Sequence, residues 1–324
     1  MNDKRTFELP VVPLYYSVPL LFICISAFLI LFFLFRIEIP VLLLQPVPPG
    51  AINVSACGVV LSQNNAYYVL NASLNFSSSP CIVISGDNIT LNGQSQYWIS
   101  GINTNSVQAV IVDGRNATVT KLNVTSAFYG IDVRMGNATI ISNFINGSNE
   151  AVRLESAPAP NTKITQNTIV NSVLGIWLKN SNYCVVGQNV ISGLGNSGVG
   201  IKVYGSSYNN VTDNKVNNTY QSIEVDVSSN ENIFSNNFLD RAFTNGLVVS
   251  NSVNNLFLSN RISNSLGSAV LIYLSNGQFV SLKNNSVTNT NVSFYDLEIA
   301  SSLSSGLGYT ELTDNSFSSY KINS

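Results

Sequence analysis

From residue 116 to residue 320 the chain repeats one motif, and that repetition restricts the fold more than any other property of the sequence. An asparagine recurs at Asn123, Asn143, Asn167, Asn189, Asn214, Asn237, Asn260, Asn285 and Asn315, at steps of about 20 to 25 residues and a longer last step of about 30. An apolar-x-apolar triplet keeps the same period, usually after a small residue. It reads Gly130-Ile131-Asp132-Val133, Ala151-Val152-Arg153-Leu154, Gly175-Ile176-Trp177-Leu178 and Gly200-Ile201-Lys202-Val203. It continues as Ser222-Ile223-Glu224-Val225, Gly246-Leu247-Val248-Val249, Ala269-Val270-Leu271-Ile272 and Asp296-Leu297-Glu298-Ile299. Alternation inside each triplet is a strand signal, with apolar side chains on one face and the residue between them on the other. A lone strand of this length cannot bury its apolar face, but one stacked on a copy of itself about 4.8 Å away can.

A period of about 23 residues suits three short strands and three turns, one coil of a parallel β-helix. Each recurring asparagine is expected at a fixed turn, because Asn tolerates left-handed backbone angles, and stacked Asn side chains can hydrogen-bond from coil to coil. A leucine-rich repeat has a similar period but is excluded. Its leucines at fixed offsets are missing, and nothing between the strands has helical periodicity.

The pattern N-x-I-x-N-x-x-x-G-I-x-L resembles the right-handed parallel β-helix repeats of the pectate-lyase-like superfamily, most closely its NosD-like and carbohydrate-binding branches. The resemblance covers Cys57 to the C-terminus. Its opening is Cys57-Gly58, Tyr68-Val69-Leu70, Cys81-Ile82-Val83-Ile84, Asn88-Ile89-Thr90-Leu91-Asn92-Gly93 and Ile99-Ser100-Gly101. It implies an all-β, right-handed, single-stranded parallel β-helix. It says little about activity, because this fold carries lyases, hydrolases, isomerases, adhesins and inert stalks.

Four segments are expected. Residues 1–16 form a short cytoplasmic N-terminus. Residues 17–35 (SVPLLFICISAFLILFFLF) carry no charge and would span about 28 Å as a helix, the thickness of a bilayer core, so they are expected to be a transmembrane signal anchor. A cleaved signal peptide is the alternative, but the apolar run is longer than usual and no A-x-A-like site follows. Lys4 and Arg5 before the span favour an N-inside orientation, which places the solenoid outside a cell membrane or viral envelope. Residues 36–50 are a Pro-rich linker. Residues 51–324 are the β-helix, with 51–101 its N-terminal cap and first coils and 105–324 its regular coils and tail. The Pro158/Pro160 region and residues 301–308 are expected to be loops between coils.

Cys57 and Cys81 flank the cap and can pair outside the cytoplasm. Closing a loop of that size would contribute roughly 3 kcal/mol. Cys184 reads as a buried small hydrophobe. Sequons at Asn71, Asn75, Asn88, Asn116, Asn137, Asn210 and Asn284 permit glycosylation. The chain has no His, 10% charged residues and a net charge of −2, so it lacks the basic excess that nucleic-acid binding needs. No cofactor motif or metal-ligand spacing is present, and none is expected.

The triplet predicts two outward columns. One runs Asp132, Arg153, Trp177, Lys202, Glu224, Val248, Leu271, Glu298; the other runs Arg134, Glu155, Lys179, Tyr204, Asp226, Ser250, Tyr273, Ala300. In the superfamily that the chain resembles, this face commonly lines a polysaccharide groove. Arg153, Glu155, Trp177, Lys179, Lys202, Tyr204 and Tyr273 are therefore candidate glycan-binding residues, with the rings stacking on sugars. The same strip also reads as a solvated ladder of opposite charges, pairing Asp132 with Arg153, Arg134 with Glu155, Glu155 with Lys179 and Lys202 with Glu224. Glu224 and Asp226 share one strand face at roughly 6.5–7 Å between Cα atoms, near the separation used by inverting glycosidases. The Gly-His-Gly and Arg-x-Lys of polygalacturonase-like sites are absent. The expectation is a non-catalytic surface module that binds a polysaccharide or a surface glycoprotein. The alternatives are a polysaccharide lyase or hydrolase using Glu224 and Asp226, and an inert spacer.

Overall fold

A computed structural model describes residues 47–77, 80–102, 107–155, 160–274, 279–288, 294–301 and 309–323. The unit Val47–Ser324 is a parallel β-helix of three sheets, of 12, 10 and 12 strands, to each of which a complete coil contributes one strand. Strands that share a sheet come from successive coils and pair in parallel, as in Thr118–Thr120 with Thr139–Ile141 and Lys163–Thr165. Twelve strands at about 4.8 Å spacing extend roughly 53 Å along the axis.

The core is a set of aliphatic columns, one residue per coil. Val119, Ile140, Ile164, Val186, Val211, Phe234, Phe257 and Leu282 form one of them, and all are buried. Phe234 and Phe257 stack with centroids 4.7 Å apart, so the ring separation equals the strand spacing. The small residue ahead of each triplet is set by close approach. A Cβ on Gly175 would lie 2.3 Å from the Gly200 carbonyl, and one on Gly130 would lie 2.4 Å from that of Ala151.

The asparagine repeat is an amide column, buried from Asn143 through Asn167, Asn189, Asn214, Asn237, Asn260 and Asn285 and ending at the half-buried Asn315. Each Nδ2 donates to the next Oδ1 at 2.8–3.0 Å. Each Oδ1 also accepts the backbone N–H of the asparagine one coil earlier. A second column links Asn209, Asn232 and Asn255 at another turn, beside serines Ser181, Ser206, Ser229 and Ser252.

Two details depart from expectation. Asn123 is outside the column; it sits on the outer face of its strand opposite Trp98 and Phe144, while Leu122 takes the turn position and its N–H donates to Asn143 Oδ1. The left-handed residue is the one before each ladder asparagine, as at Ser142, Gln166, Gln188, Asp213, Asn236 and Ser259. The turn residue bends the chain, and the asparagine after it turns its amide inward.

Among the described residues the fold class is corrected to an all-β parallel solenoid with no membrane-spanning helix. The described residues hold a single 3-10 turn, Gly195–Ser197, and no helix long and apolar enough to cross a membrane; they form strands of two to six residues instead. The segment 17–35 lies outside the described residues, as do 36–46 of the linker, Pro158, and 302–308. Cys57 and Cys81 are joined by a disulfide. Cys184 is buried, and burial pushes its thiol up to about 11. Asn71, Asn75, Asn88, Asn116, Asn137, Asn210 and Asn284 are all exposed.

Replacing Asn214 with Ala strips the partners from the Asn189 N–H and the Val186 carbonyl, both buried. The expected cost is about 2–4 kcal/mol, against about 0.5 kcal/mol or less for Asn210→Ala on the exposed face of the same coil. Urea unfolding of both variants checks the difference.

Candidate functional site: the charged sheet

The longest strands stack into one sheet: Tyr129–Val133, Glu150–Glu155, Leu174–Lys179, Val199–Tyr204, Gln221–Asp226, Leu247–Ser250, Val270–Leu274 and Leu297–Ser301. The inward residues Ile131, Val152, Ile176, Ile201, Ile223 and Leu247 hold the register. The residues between them fall into columns. Asp132, Arg153, Trp177, Lys202, Glu224, Val248, Leu271 and Glu298 are successive Cα partners, as are Glu155, Lys179, Tyr204 and Asp226.

The upper coils carry a dense ionic cluster. Asp132 faces outward by register, yet it is fully buried under two guanidinium groups. Arg153 donates to it through Nε at 3.0 Å and Nη2 at 3.2 Å, and Arg134 contacts it at 2.8 Å. Arg134 therefore pairs with Asp132 rather than with Glu155. Arg153 reaches Glu155 through Nη1 at 2.7 Å, and its guanidinium lies 3.7 Å from the centroid of the Tyr129 ring. Lys179 donates to Glu155 and stands 5.0 Å from the ring of Trp177. The Lys179 hydrogen bond is the main reason that Glu155 stays below the usual carboxylate range. Burial works against the charge of Arg153, but Asp132, Tyr129 and Glu155 outweigh it and hold the pKa above its ordinary value.

Glu150 is the residue that the sequence reading missed. It is buried, and its Oε2 lies 3.7 Å from Arg153 Nε. Burial pushes its carboxyl up to about 7; the carboxylates of Glu155 and Asp132 add to this, and Arg153 opposes it. Glu150 has the same parity as Val152 and Leu154, so strict alternation points it into the core. Alternation fails there, since the consecutive residues Ala151 and Val152 both join the core cluster while Glu150 meets Arg153. A carboxylate at core parity was the available signal. Among the described residues, neither Glu150 Oε2 nor Trp177 Nε1 has a hydrogen-bond partner, although both atoms are buried.

Lower on the sheet the charges are individually satisfied. Lys202 pairs with Glu224 at 2.8 Å and stands 5.9 Å from the Tyr204 ring. Asp226 accepts the N–H of Val227 at 2.7 Å, the Ser250 hydroxyl at 2.7 Å and the Asn251 amide at 3.2 Å. Tyr273, two coils further along, is 48% exposed. The sheet thus joins Arg153, Glu155, Trp177 and Lys179 in one cluster. Lys202 and Tyr204 lie one coil on, Glu224 and Asp226 lie on the coil after that, and Tyr273 stands apart. Among the described residues no group of three or more His, Cys, Asp or Glu is placed to hold a metal ion.

The raised carboxyl of Glu150 has a thermodynamic consequence. Its native pKa of about 7 exceeds the ordinary 4.5, so the native state holds this proton more tightly than the unfolded chain. That contribution is complete below about pH 4.5 and is lost as pH rises through about 7. Glu150→Gln should flatten the pH dependence of stability across this window and raise stability at pH 8 by up to about 3 kcal/mol. Urea midpoints of both proteins at pH 4.5 and pH 8 check it.

With this geometry in hand, comparison with known proteins is informative about fold. The A-module of the Azotobacter vinelandii mannuronan C-5 epimerase AlgE6 superposes with a TM-score of 0.55 at 13% identity, over 83% of this chain and 88% of that one. The Dettilon tailspike protein gives 0.55 at 15% identity, over 81% of this chain and 61% of the tailspike. The DFA-IIIase from Arthrobacter chlorophenolicus A6, in complex with GF2, gives 0.52 at 16% identity, over 74% of this chain and 66% of that one. At such identities the likeness concerns the fold alone. A search of the curated proteins found no match. The family model described as a right handed beta helix region matches residues 99–239 and 151–318, which together cover most of the chain, and the protein belongs to that family.

Proposed function

We propose that the protein is a polysaccharide-recognition module, displayed outside the cytoplasm, that binds its ligand along the charged sheet. The observation that carries this reading is the register: ring-bearing and hydrogen-bonding side chains recur once per coil on one face, from Arg153 and Trp177 through Lys202 and Tyr204. A polymer of six-membered sugar rings laid along the axis repeats on a comparable length and would meet similar chemistry at each step. Trp177 and Tyr204 offer rings for stacking, and Lys179 and Lys202 beside them offer donors for hydroxyl or carboxylate groups. The Cys57–Cys81 disulfide supports this compartment, because such bonds persist in oxidising environments. Glu224 and Asp226 are each held by neighbouring side chains, which suits binding and scaffolding better than proton transfer.

A second reading rests on Glu150. A buried carboxyl that titrates near neutrality beside Arg153 has the protonation behaviour of a general acid or base. On this reading the upper cluster acts chemically on the bound polymer.

One experiment separates the readings. The protein is passed over immobilised acidic and neutral polysaccharides, and the eluates are analysed for new chain ends and unsaturated sugars. The recognition reading expects retention without products, weakened at least tenfold by Trp177→Ala, with circular dichroism confirming the fold. Products that vanish in Glu150→Gln while retention persists would replace it with the catalytic reading. No retention on any polysaccharide, or retention indifferent to Trp177→Ala, sinks the assignment of this sheet.

A further inference from the structure

A hollow lies on a different sheet and is chemically unlike the charged face. The outward row of the ten-stranded sheet runs Trp98, Asn123, Phe144 and Thr168 on successive coils. Trp98 and Phe144 are two coils apart, yet their rings meet edge to face at 5.8 Å across the smaller Asn123. Asn123 thus forms the floor of a hollow with an aromatic wall. The opposite wall is the turn column bearing Ser142 and Gln166. There the Ser142 hydroxyl lies 3.4 Å from Gln166 Oε1, and Gln166 Nε2 donates to Gln188 at 3.1 Å, which orients the amide along the wall. The hollow measures about 460 Å³, within the range of small-ligand sites, roughly 300–1,000 Å³. Trp98 is 38% exposed on this open face.

None of the residues lining the hollow carries a charge. An anionic or cationic ligand would lose its hydration there without gaining a counter-charge. A lipid tail would need a continuous apolar wall, and here amides and hydroxyls interrupt it. Aromatic faces combined with uncharged donors and acceptors match a hydroxyl-rich ring that has no charge of its own. Its C–H faces stack on the aromatics, and its hydroxyls exchange hydrogen bonds with amides.

The geometry points to a second ligand site in which Trp98, Asn123, Phe144 and Gln166 bind an uncharged saccharide, independently of whatever occupies the charged sheet. The chain's two tryptophans divide between the faces, Trp98 in this hollow and Trp177 on the charged sheet. Each can therefore report on its own site.

The test uses the full chain, an array of neutral gluco-, manno- and galacto-configured hexasaccharides, and tryptophan emission. The Trp177→Phe protein, whose signal comes from Trp98 alone, should change emission with at least one array member. That saccharide should bind at least tenfold more weakly to Trp98→Ala and to Gln166→Asn, whereas Trp98→Phe, which keeps a ring, should retain most of the affinity. Circular dichroism shows whether each variant is folded, and Gln166→Asn guards against loss of fold in Trp98→Ala. The proposal is overturned if no neutral hexasaccharide perturbs Trp98, or if binding survives both Trp98→Ala and Gln166→Asn. Because the read-out is Trp98, failure here leaves the Trp177 assignment standing, and the converse holds too.

Discussion

The structure depends on how a chain that turns back on itself every 23 residues or so satisfies the polar groups it buries at each turn. A carboxamide does this with one side chain. Asn214 donates to Asn237 and to the Val186 carbonyl, and it accepts from both the side chain and the backbone N–H of Asn189. Leaving such groups buried and unpaired would cost about 1–3 kcal/mol each, so the column is a condition for stacking. A shorter serine could not reach both neighbours, and an aspartate would bury a charge and lose the donor. The same amide repeats one turn geometry on each coil from Asn143 to Asn315, which helps to hold the aliphatic columns behind it in register.

Regular coils leave the outer faces free to differ. Asp132 shows how far that freedom goes. Its position is outward by register, but Arg134 and Arg153 close over it, and a surface position becomes the buried centre of an ion cluster. The cluster spans Tyr129, Glu150, Arg153, Glu155 and Lys179, residues from three adjacent coils. Lys202 and Glu224 repeat the principle one and two coils further on with a single pair. The change from a shared network to isolated pairs marks where the sheet concentrates its desolvated charge, and Glu150 titrates near neutrality inside that region.

The coil architecture was legible because two features kept the same period, and their physical causes, amide stacking and strand alternation, survive folding unchanged. What was illegible has equally specific causes. Asn123 copied the motif one residue out of place; only strand pairing shows that Leu122 holds its turn position. The left-handed angle was assigned to the ladder asparagine because Asn tolerates it, but an inward amide and a left-handed bend are separate tasks, given to adjacent residues. Glu150 was hidden because period two fails beside it, where the neighbouring residues Ala151 and Val152 are both buried in the core. The groove at Trp98 combines a strand row with a turn row, so no single periodicity in the sequence brings its walls together.

Charge compensation bears on how the charged sheet can recognise anything. Asp132, Arg153, Glu155 and Lys179 neutralise one another, so the sheet projects little net field, and long-range steering of a charged polymer gains little from it. Discrimination must come from contact, through ring faces and through donors that exchange an internal partner for a ligand group. Lys179 and Lys202 fit this, since each has one carboxylate partner and an aromatic ring beside it, with 29% and 24% of the side chain still exposed. On the proposed recognition reading, such a site would bind weakly at each coil and gain affinity by repeating along the axis. The amide column from Asn143 to Asn315 holds the spacing of the repeats that such binding would use.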